Sequence, residues 1–295
     1  LKITADIVPI FKSSAGEAKS TAAYEAVLAG WPVPYEELDL PTRFGTSHII
    51  ASGPIAAKPI ILLHGQDSSA TSWIYNIADL SRSFRTYALD MIGDMGKSRP
   101  VRLPASREQY AWWLFDVLDQ LKIDKADLVG LSYGGFLAVN FAIAHPERVD
   151  RMALLAPGIQ NLGAPTVRWA NFGMPMIFFP SRFTVKRFIK GASTKGYSRD
   201  DLVHVQMIVG MTNRRHVSFM RPVFEDEELK RIAVPTLLLI GDHEIMYEPQ
   251  KALDAAALLI PGVRRELIPN AGHMLNSDQP AIVDKLILKF LTNPQ

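Results

Sequence analysis

A serine set between two glycines, Gly130-Leu131-Ser132-Tyr133-Gly134, is the stretch of this sequence best suited to covalent chemistry. A serine hydroxyl is a weak nucleophile near neutral pH. It attacks a carbonyl only when a base takes its proton and a third group holds that base in one tautomer. The flanks of Ser132 fit such a use. Ala126 to Leu131 is apolar and β-rich, and Phe136, Val139, Asn140 and Ile143 carry helical spacing, so the serine falls on a sharp turn between strand and helix. A turn that tight leaves no room for side chains at Gly130 and Gly134. The plainer alternative is an ordinary Gly/Ser turn, and partners elsewhere in the chain decide between the two.

Strand, Gly-x-Ser-x-Gly turn and helix together resemble the nucleophile elbow of the α/β-hydrolase family, with Ser132 in the nucleophile position. The resemblance implies the chain order Ser, acid, His, with the histidine in the loop after the last strand. Ile268-Pro269-Asn270-Ala271-Gly272-His273 supplies it; of the seven histidines, His273 alone has that position. The acid is implied after the seventh strand, where Leu237-Leu238-Leu239-Ile240-Gly241-Asp242-His243-Glu244 offers two carboxylates. Family members usually place an Asp three residues after the Gly, and here that position is Glu244. Glutamate reaches one methylene further, so the loop has to sit back slightly for its carboxylate to meet the ring of His273. Asp242, the usual residue type in a shifted position, is the alternative acid. A second route, an acid after the sixth strand, is closed because Ala156-Pro157-Gly158 has no carboxylate.

Attack on an ester carbonyl builds negative charge on its oxygen, and backbone N–H groups aimed there stabilise it by roughly 3 kcal/mol each. The resemblance assigns these donors to Tyr133, immediately after the nucleophile, and to Gln66, immediately after His64-Gly65. It gives His64 a supporting role for that loop. Gly93-Asp94-Met95-Gly96-Lys97-Ser98 imitates a phosphate-binding loop, yet the position that needs the first glycine is Met91, and Pro100 and Pro104 oppose the helix that should follow. Asp90-x-x-Gly93-x-x-Gly96-x-Ser98 instead resembles the turn after the fourth strand of α/β-hydrolases.

The elements that must hold these residues alternate. Glu36 to Ile50 reads as a β-hairpin; Pro59–Leu63, Phe84–Leu89, Val149–Leu155, Thr236–Ile240 and Arg264–Ile268 read as strands; Ala70–Leu80, Arg107–Leu121 and Gln279–Leu291 read as helices. Strand and helix in alternation imply an α/β fold with a mostly parallel central sheet flanked by helices. The rhythm breaks between Pro157 and about Arg231. That stretch is basic and rich in Phe and Met, and lies where the resemblance implies a helical lid inserted after the sixth strand. Gly173, Pro175 and Pro180 are expected to interrupt any long helix there. Phe172, Met174, Met176 and Phe178 are candidate pocket residues; apolar side chains this dense must face the sheet domain, the substrate or a membrane. The expected organisation is an N-terminal arm over 1–35, with a short helix from Thr21 to Leu28, lying over the main domain. The first part of the core then spans 36–156, the helical lid 157–231 and the second part of the core 232–295.

Composition narrows the classes. With 48% hydrophobic and 21% charged residues the chain can bury a large core. A net charge of +2 without a basic run argues against a nucleic-acid partner. Zero cysteines exclude disulfides, thiol catalysis and Cys-ligated metals, and no His spacing suggests a metal site, so no cofactor is expected. No stretch is long enough for a membrane span. The expected compartment is the cytoplasm, although the numbering starts at Leu1 and leaves open a leader or anchor removed before it. The resemblance implies a serine hydrolase of carboxylesterase type, cleaving small to medium uncharged esters through an acyl-enzyme on Ser132. Carbon–carbon bond hydrolysis, cofactor-free perhydrolysis and slow-turnover ligand sensing in signalling are the alternatives the same triad allows.

Overall fold

Runs of apolar residues become the middle strands of one sheet because both faces of that sheet are covered. The computed structural model describes residues 7–215 and 223–292. Its strands are β1 (Tyr35–Thr42), β2 (Gly45–Ser52), β3 (Pro59–Leu63), β4 (Arg85–Leu89), β5 (Arg99–Pro100), β6 (Ala126–Leu131), β7 (Val149–Leu155), β8 (Thr236–Gly241) and β9 (Arg264–Ile268). They lie in the order β1-β2-β4-β3-β6-β7-β8-β9, with the two-residue β5 added beside β2. The β1–β2 hairpin is antiparallel, β2 meets β4 and β5 antiparallel, and the pairings from β4–β3 through β8–β9 are parallel.

The helices are α1 (Ser14–Leu28), α2 (Ile77–Leu80), α3 (Arg107–Gln120), α4 (Tyr133–Ala144), α5 (Val167–Phe178), α6 (Arg182–Ala192), α7 (Leu202–Asn213), α8 (Asp226–Lys230), α9 (Pro249–Leu259), α10 (Leu275–Asp278) and α11 (Pro280–Thr292). Strand alternation divides the core in two. Ile61 and Leu63 of β3 join Trp113 of α3, Val139 of α4 and Ala256 of α9 on one face. Ile60 and Leu62 join Trp73, Ile77 of α2 and Ile287 of α11 on the other. The period of two along a strand thus fills both layers from a single apolar run.

The strand order reverses between β3 and β6, since the chain runs outward from β3 to β4 and then returns to place β6 on the other side of β3. Loops leaving the carboxyl ends of two such strands diverge and open a crevice. The loop after β3 carries Gln66 and the turn after β6 carries Ser132, so the candidate chemistry sits where the topology makes room.

Three expectations change. The expected short helix starts earlier: Ser13 caps α1 through its hydroxyl, and the helix begins at Ser14 rather than Thr21. The N-terminal segment is also bonded to the insertion, with Lys12 N–H donating to Asn213 O at 2.8 Å and Arg215 N–H to Ile10 O at 2.7 Å. Ala70–Leu80 is a 3₁₀ segment, Ala70–Tyr75, followed by the single-turn α2. Most consequential, α5 runs through both Gly173 and Pro175. Pro175 lacks one N–H with a single turn left to go. Gly173 lets the ring of Trp169 lie against the helix, because a Cβ there would fall 2.4 Å from that ring. The part of the expected lid at 216–222 lies outside the described residues.

Candidate active site

β6 ends in a turn whose geometry excludes most residues. Ser132 has φ 52° and ψ −115°, outside the conformations a side-chain-bearing residue prefers. A Cβ on Gly134 would lie 2.1 Å from Leu63 O, and one on Gly130 would lie 2.4 Å from Gly134 O. The two glycines therefore let β3, β6 and α4 approach closely enough to hold the serine at the head of α4.

Ser132 Oγ lies 2.9 Å from His273 Nε2. His273 Nδ1 lies 2.9 Å from Glu244 Oε2 and 3.0 Å from Oε1. An ionised carboxylate can only accept, so Nδ1 carries the ring proton and Nε2 is left as acceptor for the serine hydroxyl. Glu244 is itself fixed: the backbone N–H groups of Ile245 and Met246 donate to Oε1 at 2.7 and 2.8 Å. Both partners are buried, His273 at 7% and Glu244 at 4% exposure, so water competes little for these bonds.

Asp242 points elsewhere. Its carboxylate accepts from His243 Nδ1 at 2.6 Å and from the N–H groups of Asn270 and Ala271, both at 3.1 Å. Burial raises its affinity for a proton, but the bond from His243 and the two backbone donors outweigh this and hold it below the ordinary aspartate range. It ties together the two loops that present Glu244 and His273.

The loop after β3 closes the other side. A Cβ on Gly65 would lie 3.4 Å from Ser132 Cβ, which brings Gln66 beside the elbow, and Tyr133 heads α4, where helical N–H groups point outward. His64 is fully buried and supports this loop. Its Nδ1 donates to Gly65 O at 2.7 Å, Nε2 accepts from Met91 N–H at 3.0 Å, and burial lowers its proton affinity.

A cavity of about 270 Å³ adjoins Ser132, His273, Gln66 and Tyr133, with Trp169, Met176, Ile177, Phe188, Met207 and Met246 among its apolar walls. Of the four pocket candidates read from sequence, only Met176 lines it. Phe172 packs over Gly191 of α6 instead, under the guanidinium of Arg187. Met174 and Phe178 face outward, 43% and 60% exposed. The reason is helical phase: once α5 is continuous, Trp169, Met176 and Ile177 point inward while Met174 and Phe178 fall on the opposite side. Reading 167–178 as a helix would have found Trp169. Sequence reading also missed a buried trio behind Gln66, in which Arg214 Nη1 lies 2.6 Å from Asp67 Oδ1 and 3.1 Å from Asp94 Oδ1. Among the described residues, no group of three His, Asp or Glu side chains gathers as a metal site would.

A strained serine at a strand–helix turn, a histidine whose tautomer is set by a glutamate, and an adjoining apolar cavity define a serine hydrolase site on an α/β sheet. Residues 60–285 match the profile of the Alpha/beta hydrolase family, and the chain belongs to that family. It is 39% identical over 280 residues to carboxylesterase YbfK of Bacillus subtilis (strain 168), covering 91% of this chain and 92% of that one. The crystal structure of that esterase superposes with a TM-score of 0.89 at 36% identity, covering 95% of this chain and all of the other. Naproxen esterase from B. subtilis gives 0.85, with the same identity and coverage. A 2-hydroxymuconate semialdehyde hydrolase from Pseudomonas sp. (strain CF600) is 38% identical over 220 residues, 72% of each chain.

Proposed function

We propose that this chain is a serine carboxylesterase for small to medium uncharged esters, with Ser132 as nucleophile, His273 as base and Glu244 as the acid that orients it. The observation that carries the reading is the continuous line from Glu244 through His273 to Ser132 Oγ beside an apolar cavity. In this scheme His273 Nε2 takes the proton as Oγ bonds to the ester carbon. The carbonyl electrons move onto its oxygen, which the N–H groups of Gln66 and Tyr133 meet. As the tetrahedral intermediate collapses, the bond to the alcohol oxygen breaks and His273 returns the proton to it. Water, deprotonated by the same nitrogen, then attacks the acyl carbon, the bond to Ser132 Oγ breaks, His273 returns the proton to Oγ, and the acid is released. Residues 157–231 act as the lid that forms the apolar wall, residues 36–156 and 232–295 act as the core, and a cytoplasmic setting belongs to the same reading.

Turnover of p-nitrophenyl butyrate by the protein and by Ser132→Ala tests this, together with a fluorophosphonate probe read by intact-protein mass spectrometry. Activity and a single adduct on Ser132, both lost in Ser132→Ala and nearly lost in His273→Ala, are expected. An adduct on another residue sinks the assignment. The carbon–carbon hydrolase reading, which the semialdehyde hydrolase likeness favours, gains the ground if a dienoic diketone is turned over faster than any ester.

A further inference from the structure

The outward side of α5 and the start of α6 form an apolar crest. Val167, Met174 and Phe178 follow helical spacing along the exposed side of α5, with 77%, 43% and 60% of their surface open. Phe179 and Phe183 extend the crest around the corner into α6 at 76% and 71%. Three adjacent phenylalanines this open are unusual on a protein surface, where apolar side chains occur singly and a contiguous patch marks a contact.

The charged residues of the segment that carries the crest have one sign. From Pro157 to Arg199 there are seven Lys and Arg residues and no Asp or Glu. Arg182, Arg187 and Lys190 are exposed on α6 and flank Phe183 at helical spacing. Lys186 and Arg187 lie over the rings of Tyr197 and Phe172, at 4.9 and 5.2 Å, rather than against carboxylates. The whole chain is only +2, and without these seven the remaining 25 Lys and Arg face 30 Asp and Glu, a net of −5, so the positive charge is concentrated in this segment.

We propose that the α5–α6 corner docks on an anionic phospholipid bilayer, with Phe178, Phe179 and Phe183 in the acyl boundary and Arg182, Arg187 and Lys190 at the headgroups. A basic amphipathic surface with aromatic residues at its apolar edge binds an interface through both contributions at once. Each cation near such a surface adds about a fivefold gain in partition. Another protein fits less well, because a protein surface would have to be acidic over the whole segment and apolar at its centre. The crest is separate from the reacting groups: Met176 and Ile177, on the inner side of α5, line the cavity, so docking leaves that wall in place.

The test is sedimentation of the full chain with vesicles of phosphatidylcholine containing phosphatidylglycerol, against phosphatidylcholine alone. Two variants are compared, Phe178→Ser/Phe179→Ser/Phe183→Ser and Arg182→Gln/Arg187→Gln/Lys190→Gln. All six residues are exposed, and unchanged turnover of a water-soluble ester serves as the folding control. The expected result is partition into anionic vesicles only, weakened by salt and reduced about tenfold or more in each variant. No partition, equal partition into neutral vesicles, or partition that survives the serine substitutions overturns the proposal. So does a dimer in sedimentation velocity without lipid that the serine substitutions dissolve, since the crest then belongs to a second copy of the chain.

Discussion

Arg214 Nη1 lies 2.6 Å from Asp67 Oδ1, and so the end of α7 in the insertion holds the residue next to Gln66. Asp67 has φ 62°, a conformation that is costly for a residue with a side chain. Its N–H donates to Asp94 Oδ2 at 3.0 Å, and Arg214 also reaches Asp94 Oδ1 at 3.1 Å. Burial raises Asp94 to about 6, with Arg214 the chief opposing influence. The guanidinium thus keeps two buried carboxylates together beneath the strained loop.

Arg214→Met should therefore disturb Gln66 N–H more than ester binding. The expected result is a fall in kcat of roughly tenfold to hundredfold, below the full loss of one oxyanion donor, with KM little changed. Arg214→Lys should recover part of it. A rise in KM with kcat preserved would mean that Arg214 shapes the pocket and leaves the loop alone.

Glu244 and Asp242 make opposite predictions under the same chemical change. In Glu244→Gln the two backbone donors still hold Oε1, which turns the new amide N–H₂ toward His273 Nδ1 and favours the wrong tautomer. A drop in kcat of about 10⁴ is expected, as for triad acids elsewhere. Asp242→Asn should keep kcat within about tenfold and lower thermal stability, because among the described residues the Asp242 carboxylate bonds His243 and the His273 loop and does not reach His273 itself. The reverse ranking in steady-state kinetics would exchange their roles.

Glu244 is legible through the α/β-hydrolase resemblance, which places the acid three residues after Gly241 whatever its type, with Asp242 left as the alternative. Ser132 follows a strand that reads as an apolar run, whereas the strand before His273, Arg264–Ile268, is charged and mostly exposed, so His273 is legible only through its place in the chain order that the resemblance implies. Met174 and Phe178 failed for a physical reason. Composition marks a segment as apolar, but only the phase of a helix says which side faces inward, and Pro175 hid that helix. Arg214 had no local signal at all. Its partners, Asp67 and Asp94, are 147 and 120 residues away, and only the folded insertion brings the three together.

Gly134→Ala tests the close approach at the elbow. The added Cβ would meet Leu63 O at 2.1 Å, a backbone atom of the central strand that cannot move without its neighbours. A loss of about 3 kcal/mol or more in denaturant unfolding is expected, along with loss of turnover. Gly30→Ala is the control, since nothing lies nearer than 3.4 Å to its Cβ. Equal unfolding midpoints for the two variants would contradict the packing described.

Asp284 of α11 should make stability fall as pH rises. It is 2% exposed and accepts from Asn76 Nδ2 at 2.8 Å. Burial pushes it up to about 7; the Asn76 bond opposes the shift, and Asp79 adds to it. In the unfolded chain an aspartate titrates near 3.9. Between about pH 4 and pH 7 the folded protein therefore holds a proton that the unfolded chain has lost. Its contribution to stability is greatest below about pH 4, declines through that window and is flat above it. Asp284→Asn keeps an acceptor for Asn76 and has no charge to bury at any pH. The variant should match the parent near pH 4 and exceed it at pH 8 by on the order of 4 kcal/mol, which raises Tm by several degrees. Thermal unfolding of both proteins across that range is the measurement. Parallel curves would mean that Asp284 is charged in the fold at neutral pH, and that Asn76, itself bonded by Asn276, solvates it better than its burial suggests.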